Sequence, residues 1–117
     1  MKKIYHLSSC TTCQRIIKEL DIDSDFELQD IKTQKISADQ LEEMKNLSGS
    51  YESLFSRRAI KYKELGLKEK VLSEDDYRDY ILSEYTFLKR PVLLIDGAIF
   101  VGNAKKTVEN AKKALGK

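Results

Sequence analysis

An α/β fold built on a mixed sheet is predicted by three observations. A short apolar run, an amphipathic stretch and a second apolar run follow one another at the N-terminus, the order of a β-α-β unit. Near the C-terminus two β-rich runs, Val92-Leu93-Leu94-Ile95 and Ala98-Ile99-Phe100-Val101, are joined by Asp96-Gly97. That dipeptide is a strong hairpin signal, because a two-residue type I′ turn needs φ > 0 at both positions. Between these ends only helical patterns occur, so the order is β-α-β, several helices, then β-β-α.

Each element has its own warrant. Lys3 to Leu7 reads as the first strand, with Ile4, Tyr5 and Leu7 apolar and two serines ending it. Cys13, Ile16, Ile17 and Leu20 fall at i, i+3, i+4 and i+7, the stripe of an amphipathic helix. Phe26 to Ile31 follows as a second strand, with Phe26, Leu28 and Asp30 expected one way and Ile31 closing it. Ser37 and Gln40 have capping-box spacing, Leu41, Met44 and Leu47 continue at helical spacing, and Gly49 is a natural stop. Tyr51 to Phe55 is a short helical piece, and Lys61 to Leu67 another turn closed by Gly66. Ser73 caps a further helix, with Leu72 and Tyr77 at hydrophobic-staple positions and Tyr80, Ile81 and Tyr85 on its apolar face. Ala104, Val108, Ala111 and Leu115 form one stripe of a last helix.

At 117 residues the chain is expected to be a single domain, 1–117, with a helical insertion over roughly residues 33–89. Hydrophobic residues at 41% and charged residues at 34% exclude a disordered composition. The balance of 21 Lys+Arg against 19 Asp+Glu gives no drive toward nucleic acid or a membrane surface. Met1-Lys2-Lys3 is not followed by an apolar stretch of signal-peptide length, so a cytoplasmic location is expected. In that reducing compartment a structural disulfide is disfavoured, and Cys-x-x-Cys pairs are redox or metal motifs.

Both cysteines lie in Ser8-Ser9-Cys10-Thr11-Thr12-Cys13-Gln14-Arg15, at the junction of the first strand and first helix. A β-α-β unit, a later hairpin and a terminal helix, with Cys-x-x-Cys at this junction, is the arrangement of a thioredoxin-like fold. The unpaired N–H groups of a helix start favour an anion, so Cys10 is the candidate nucleophile and Cys13, one turn inward, the resolving thiol. Two alternatives stand beside this: a pair of small buried hydrophobes, or part of a metal site. A zinc site needs about four ligands. Two cysteines and His6, read as a partly exposed strand residue, supply too few within one chain, which leaves only a site shared between chains. Arg15 is close enough in sequence to add positive potential. Arg57, Arg58 and Arg90 are solvated surface charges on composition alone, yet a guanidinium would hold an oxyanion or stabilise a thiolate. Pro91, the only proline, sits at a strand start. In a thioredoxin-like fold that position holds a cis proline beside the cysteines.

The segments "YHLSSCTTCQR", "SLFSRRAIKYKELGL" and "FLKRPVLLIDGAIFVGN", with the total length, resemble the ArsC/Spx family of thioredoxin-like proteins over essentially the whole chain. The resemblance implies a nucleophile at Cys10, an oxyanion-holding arginine at Arg90, a cis proline at Pro91 and a further arginine at Arg58. Arsenate reductases carry that further arginine earlier, at the position of Ser56. It implies an arsenate-reductase type of thiol–disulfide chemistry on a small oxyanion or disulfide substrate, with no bound cofactor. Glutathione with glutaredoxin, or thioredoxin, would be the electron donor. The Spx branch implies an alternative, a redox-sensing regulator that binds RNA polymerase, with Gly49 to Glu52 near the binding face. The chain departs from the reductases in carrying Cys13, and in having only Lys105 or Lys106 where a third arginine is expected.

Overall fold

The computed structural model describes residues 2–117. Four strands form one sheet, β1 (Lys2–His6), β2 (Phe26–Asp30), β3 (Val92–Ile95) and β4 (Ala98–Val101), in the order β2-β1-β3-β4. β1 and β2 are parallel, β1 and β3 antiparallel, and β3 and β4 antiparallel, so the sheet is mixed. Five α-helices accompany it: α1 (Thr11–Glu19), α2 (Ala38–Ser48), α3 (Ile60–Glu64), α4 (Glu74–Ser83) and α5 (Lys105–Ala114). Single 3-10 turns at Glu52–Leu54, Leu67–Glu69 and Tyr85–Phe87 join α2 through α4 to β3. This is the expected thioredoxin-like order with a helical insertion between the second and third strands. By contacts the chain divides into two compact units, residues 1–34 with 90–117, and residues 35–89.

The first unit contains the whole sheet with α1 and α5. Its core joins Ile4 of β1, Ile16 and Leu20 of the first helical stretch, Phe26 of β2, Leu93 and Ile95 of β3, and Val108 and Ala111 of α5. Both helices therefore pack through the apolar stripes read from the sequence. The β3–β4 hairpin turns at Asp96 and Gly97 with φ of 49° and 89°, the signs that the Asp-Gly turn requires. Lys117 closes the far end of α1: its ammonium donates to the Leu20 and Asp21 carbonyls at 2.7 and 2.9 Å, where the helix end is electronegative.

Two side chains in this unit differ from expectation. Leu28 stands beside Ile4 in the β1–β2 register but is 46% exposed, whereas Gln29 is buried. β2 is an edge strand, and alternation alone does not say how far along it the covering layer extends. The Gln29 amide is accommodated because it donates to the Gln34 carbonyl at 2.9 Å. His6, expected to be partly exposed, is buried, and its Nδ1 has no hydrogen-bond partner among the described residues.

The second unit is helical apart from an isolated antiparallel bridge between Phe55 and Leu88. Ser37 and Ser73 each form a full capping box, with Gln40 and Asp76 answering from the third helical position. Gly49 ends α2 in the left-handed region at φ 102°, where any side chain would be strained. Phe55 is fully buried, stacked on Phe87 at 5.0 Å and edge-on to Tyr77 at 4.9 Å. Glu74, at the start of α4, accepts hydrogen bonds from the Tyr51 and Glu52 N–H groups and so holds the preceding 3-10 turn. The two neighbouring arginines diverge. Arg57 pairs with Glu52 at 2.9 Å, donates to the Tyr77 hydroxyl at 3.1 Å and lies over the Tyr77 ring. Arg58 is exposed.

Leu20→Ala should lower the unfolding free energy by about 2–5 kcal/mol in equilibrium urea titrations. Leu28→Ala should change it by less than about 0.5 kcal/mol. In the second unit, Arg57→Ala should cost about 1 kcal/mol, the scale of an exposed ion pair plus one cation–π contact. Arg58→Ala should leave thermal stability unchanged within calorimetric error.

Candidate functional site

The β1–α1 connection is short because a turn closes it: the Cys10 N–H donates to the Leu7 carbonyl at 2.9 Å. Cys10 is thereby placed as the N-cap of α1 with extended backbone, φ −88° and ψ 114°. α1 has no acidic residue in its first turn, and the Cys10 thiol makes no capping hydrogen bond. The Thr12 and Cys13 N–H groups at this helix start instead face the Cys10 sulfur and favour its anion. Cys10 is partly exposed and Cys13 fully buried, both as free thiols.

The two thiols have opposite electrostatics. Partial burial would raise Cys10, but the Cys13 N–H, the Cys13 thiol, the Thr12 N–H and the Arg90 charge together outweigh it and hold Cys10 below its ordinary value. Burial pushes Cys13 up to about 11, against a backbone hydrogen bond from Leu7, and the neighbouring Cys10 adds to the rise. The proton thus stays on the inner sulfur while the outer one ionises first. An outer thiolate with an inner thiol within hydrogen-bonding reach can attack an electrophile and then be released by disulfide formation.

Arg90 precedes β3, and its charge acts on both cysteines. The Arg90–Pro91 peptide is cis, and the buried Pro91 accepts a hydrogen bond from the Gly102 N–H at 2.9 Å. Cys10, Cys13, Arg90 and Pro91 therefore belong to the same unit and the first three interact. Arg15 does not join them: it is exposed on α1 and pairs with Glu19 at 3.4 Å. Spacing explains this, since Glu19 lies one turn further along the same helix face. Arg58 lies in the second unit.

A further set of residues around the cysteine loop escaped the sequence reading. The Ser8 hydroxyl donates to Asp30 Oδ2 at 2.5 Å, and the Gln14 amide donates to the Ser8 carbonyl. Asp30 Oδ1 accepts from the Lys32 N–H at 3.0 Å. These contacts hold the Asp30 carboxyl below the usual range, the Ser8 bond contributing most and the Lys32 N–H next. The signal was present in outline, because a parallel β1–β2 pair places Asp30 beside His6, two residues before Ser8. Among the described residues no group of three or more His, Cys, Asp or Glu could hold a metal ion, and no helix is long and apolar enough to cross a membrane.

Comparison with known proteins bears on this geometry. The global transcriptional regulator Spx of Lactiplantibacillus plantarum is 27% identical over 101 residues, covering 85% of this chain and 76% of that protein. A Staphylococcus aureus solution structure is 28% identical, covers 94% of this chain and 97% of its own, and superposes with a TM-score of 0.76. An arsenate reductase from Vibrio cholerae shares the fold at a TM-score of 0.78, with 19% identity over 93% of this chain and 95% of its own. The model of the ArsC family matches residues 5–111, the span that holds both cysteines and Arg90-Pro91, and the chain belongs to that family.

Proposed function

We propose that residues 1–117 act together as a thiol–disulfide oxidoreductase of arsenate-reductase type, with Cys10 as nucleophile and Cys13 as resolving thiol. The observation that carries this reading is the unequal pair: an accessible Cys10 at the open N-terminus of α1 beside a buried, proton-holding Cys13 and the Arg90 charge. In the first step the Cys10 thiolate attacks the electrophile, either arsenic of an arsenate or sulfur of a disulfide. Arg90 neutralises the oxyanion, and water or the departing thiol leaves. Bonding of Cys10 to the electrophile removes the neighbouring negative sulfur, whose upward effect on Cys13 adds to the larger one of burial, so the inner thiol ionises more readily once the adduct exists. Cys13 then attacks the Cys10 sulfur. For arsenate, the bond to arsenic breaks, its electron pair stays on arsenic as arsenite, and Cys10–Cys13 becomes a disulfide. Glutathione with glutaredoxin, or thioredoxin, returns two electrons to that disulfide. Arg58 enters this reading through family resemblance, as a second cation toward the oxyanion.

The Spx relative favours a second reading, in which the same pair is a redox switch on a regulator that binds RNA polymerase in the cytoplasm. There Cys10–Cys13 oxidation changes binding, and no substrate turns over.

Arsenate reduction measured with glutathione plus glutaredoxin, and in parallel with thioredoxin, separates the readings. Wild type should turn over with one donor, Cys10→Ser should be inert, and Cys13→Ser should lose the thioredoxin-coupled rate while retaining any activity that glutathione can resolve. Equal inertness of wild type and Cys10→Ser with both donors would sink the reductase reading. Polymerase captured equally by wild type and Cys10→Ser would favour the regulator. Rates below neutral pH should fall with the Cys10 thiolate fraction, and Arg90→Ala should move that fall to higher pH.

Cys13 also carries a stability prediction. Its folded pKa lies above the ordinary value, so its contribution is present below pH 9.0 and is lost as pH rises to about 11. Urea midpoints of the reduced protein should decline across that window, and Cys13→Ala should flatten the decline.

A further inference from the structure

The β1–α1 loop starts at the buried Leu7, whose backbone hydrogen-bonds Cys13, but its next residues Ser8 and Ser9 are exposed. Between Leu7 and Cys10 it is held by the turn from Cys10 to Leu7 and by the contacts of Ser8. The Ser8 carbonyl is held by the Gln14 side chain of α1, and its hydroxyl is held by the Asp30 carboxylate at the end of β2. The loop is thus tied to the helix whose N–H groups face Cys10, and to the strand beside β1. Asp30 is itself fixed: Oδ1 takes the Lys32 N–H, and its own carbonyl takes the Gln34 N–H at 2.8 Å. Its place opposite His6 in the parallel register fixes the anchor to the same end of the sheet as the cysteine loop.

We propose that Ser8, Gln14 and Asp30 form a clamp that holds the Cys10 loop against the start of α1, and are positioning residues for the thiol chemistry. The clamp rests on the reading of Cys10 as the nucleophile and deepens it. Its physical content is alignment. A sulfur gains from helix N–H groups only over a short range, so a loop that swings by an ångström or two forfeits most of the effect. The groups that face Cys10 are Cys13 from α1 and Arg90 from the residue before Pro91; the clamp sets how far the sulfur stands from them.

The sign of one substitution separates alignment from simple electrostatics. Asp30 is an anion at the same end of the sheet as Cys10, so removing its charge would, by Coulomb's law alone, favour the Cys10 thiolate. Removing the anchor disfavours it. The test is titration of the Cys10 thiolate by ultraviolet absorbance in the reduced full chain, below the range where Cys13 ionises. Ser8→Ala and Asp30→Ala should each lower the thiolate fraction at neutral pH by about threefold, half a pKa step. The double variant should fall no further than Asp30→Ala alone, because Ser8→Ala breaks a bond that Asp30→Ala also removes. Asp30→Asn keeps the Lys32 N–H on its amide oxygen and can hold the Ser8 hydroxyl by donating from its NH2, so it should stay nearer wild type than Asp30→Ala. The clamp is overturned if Asp30→Ala increases the thiolate fraction, if Ser8→Ala leaves it unchanged, or if the two effects add. No substrate is involved, so these results are independent of turnover. A wild-type Cys10 that titrates at or above the ordinary thiol value would instead overturn the nucleophile reading, and the clamp with it.

Discussion

The open N-terminus of α1 is the constraint on which the site depends. A helix start leaves backbone N–H groups without partners, and this chain closes two of its longer helices with serine capping boxes, at Ser37 and Ser73. At α1 the capping position is given to a cysteine whose thiol makes no such bond, with no carboxylate in the first turn to substitute. The Cys13 and Thr12 N–H groups face its sulfur instead, which is a preference for negative charge on Cys10. Local stability is given up there relative to a serine cap, about 1 kcal/mol by the usual scale. The sheet and the α1–α5 core then serve to keep that helix start fixed relative to Arg90 and Pro91, the residues that lead into β3.

That arrangement explains which features were legible before any coordinates. Signals that rest on backbone geometry transferred intact: Asp96-Gly97 demanded its turn, Ser37 with Gln40 its capping box, and Cys10 its place between strand and helix. Such signals are local, and few tertiary contacts can override them. The failures are of another kind. Alternation put Leu28 and Phe26 on one face of β2 but could not say that the edge strand leaves Leu28 exposed while Gln29 finds the Gln34 carbonyl. His6 was judged by its polarity and its place on a strand, yet it sits inside with Nδ1 unpartnered among the described residues. Burial is set by what lies across the sheet, which a strand's own residues do not encode.

The charged residues divide along the same line. Of Arg15, Arg57, Arg58 and Arg90, all plausible cations on composition, Arg15 is taken by Glu19 and Arg57 by Glu52 and Tyr77. Adjacent arginines such as Arg57 and Arg58 are indistinguishable in a string of letters, because the deciding partner, Tyr77, is twenty residues away. Ser8 and Asp30 are separated by twenty-two residues for the same reason. Long-range polar pairs are where sequence reasoning about this site loses resolution. They are also where the loop carrying Cys10 is held.

The inequality of the two cysteines has a chemical consequence beyond assigning roles. If both thiols ionised readily, the reduced pair would carry two negative sulfurs close together, and each would weaken the other. Burial prevents this by keeping the proton on Cys13, and that retained proton in turn donates to Cys10 and helps to stabilise its thiolate. The inner cysteine therefore acts before it resolves anything: as a thiol it is a hydrogen-bond donor to the nucleophile. In the proposed cycle, bonding of Cys10 to an electrophile removes the neighbouring negative sulfur and eases ionisation of Cys13, although its burial remains. The pair thus favours, in that cycle, attack by Cys10 before release by Cys13.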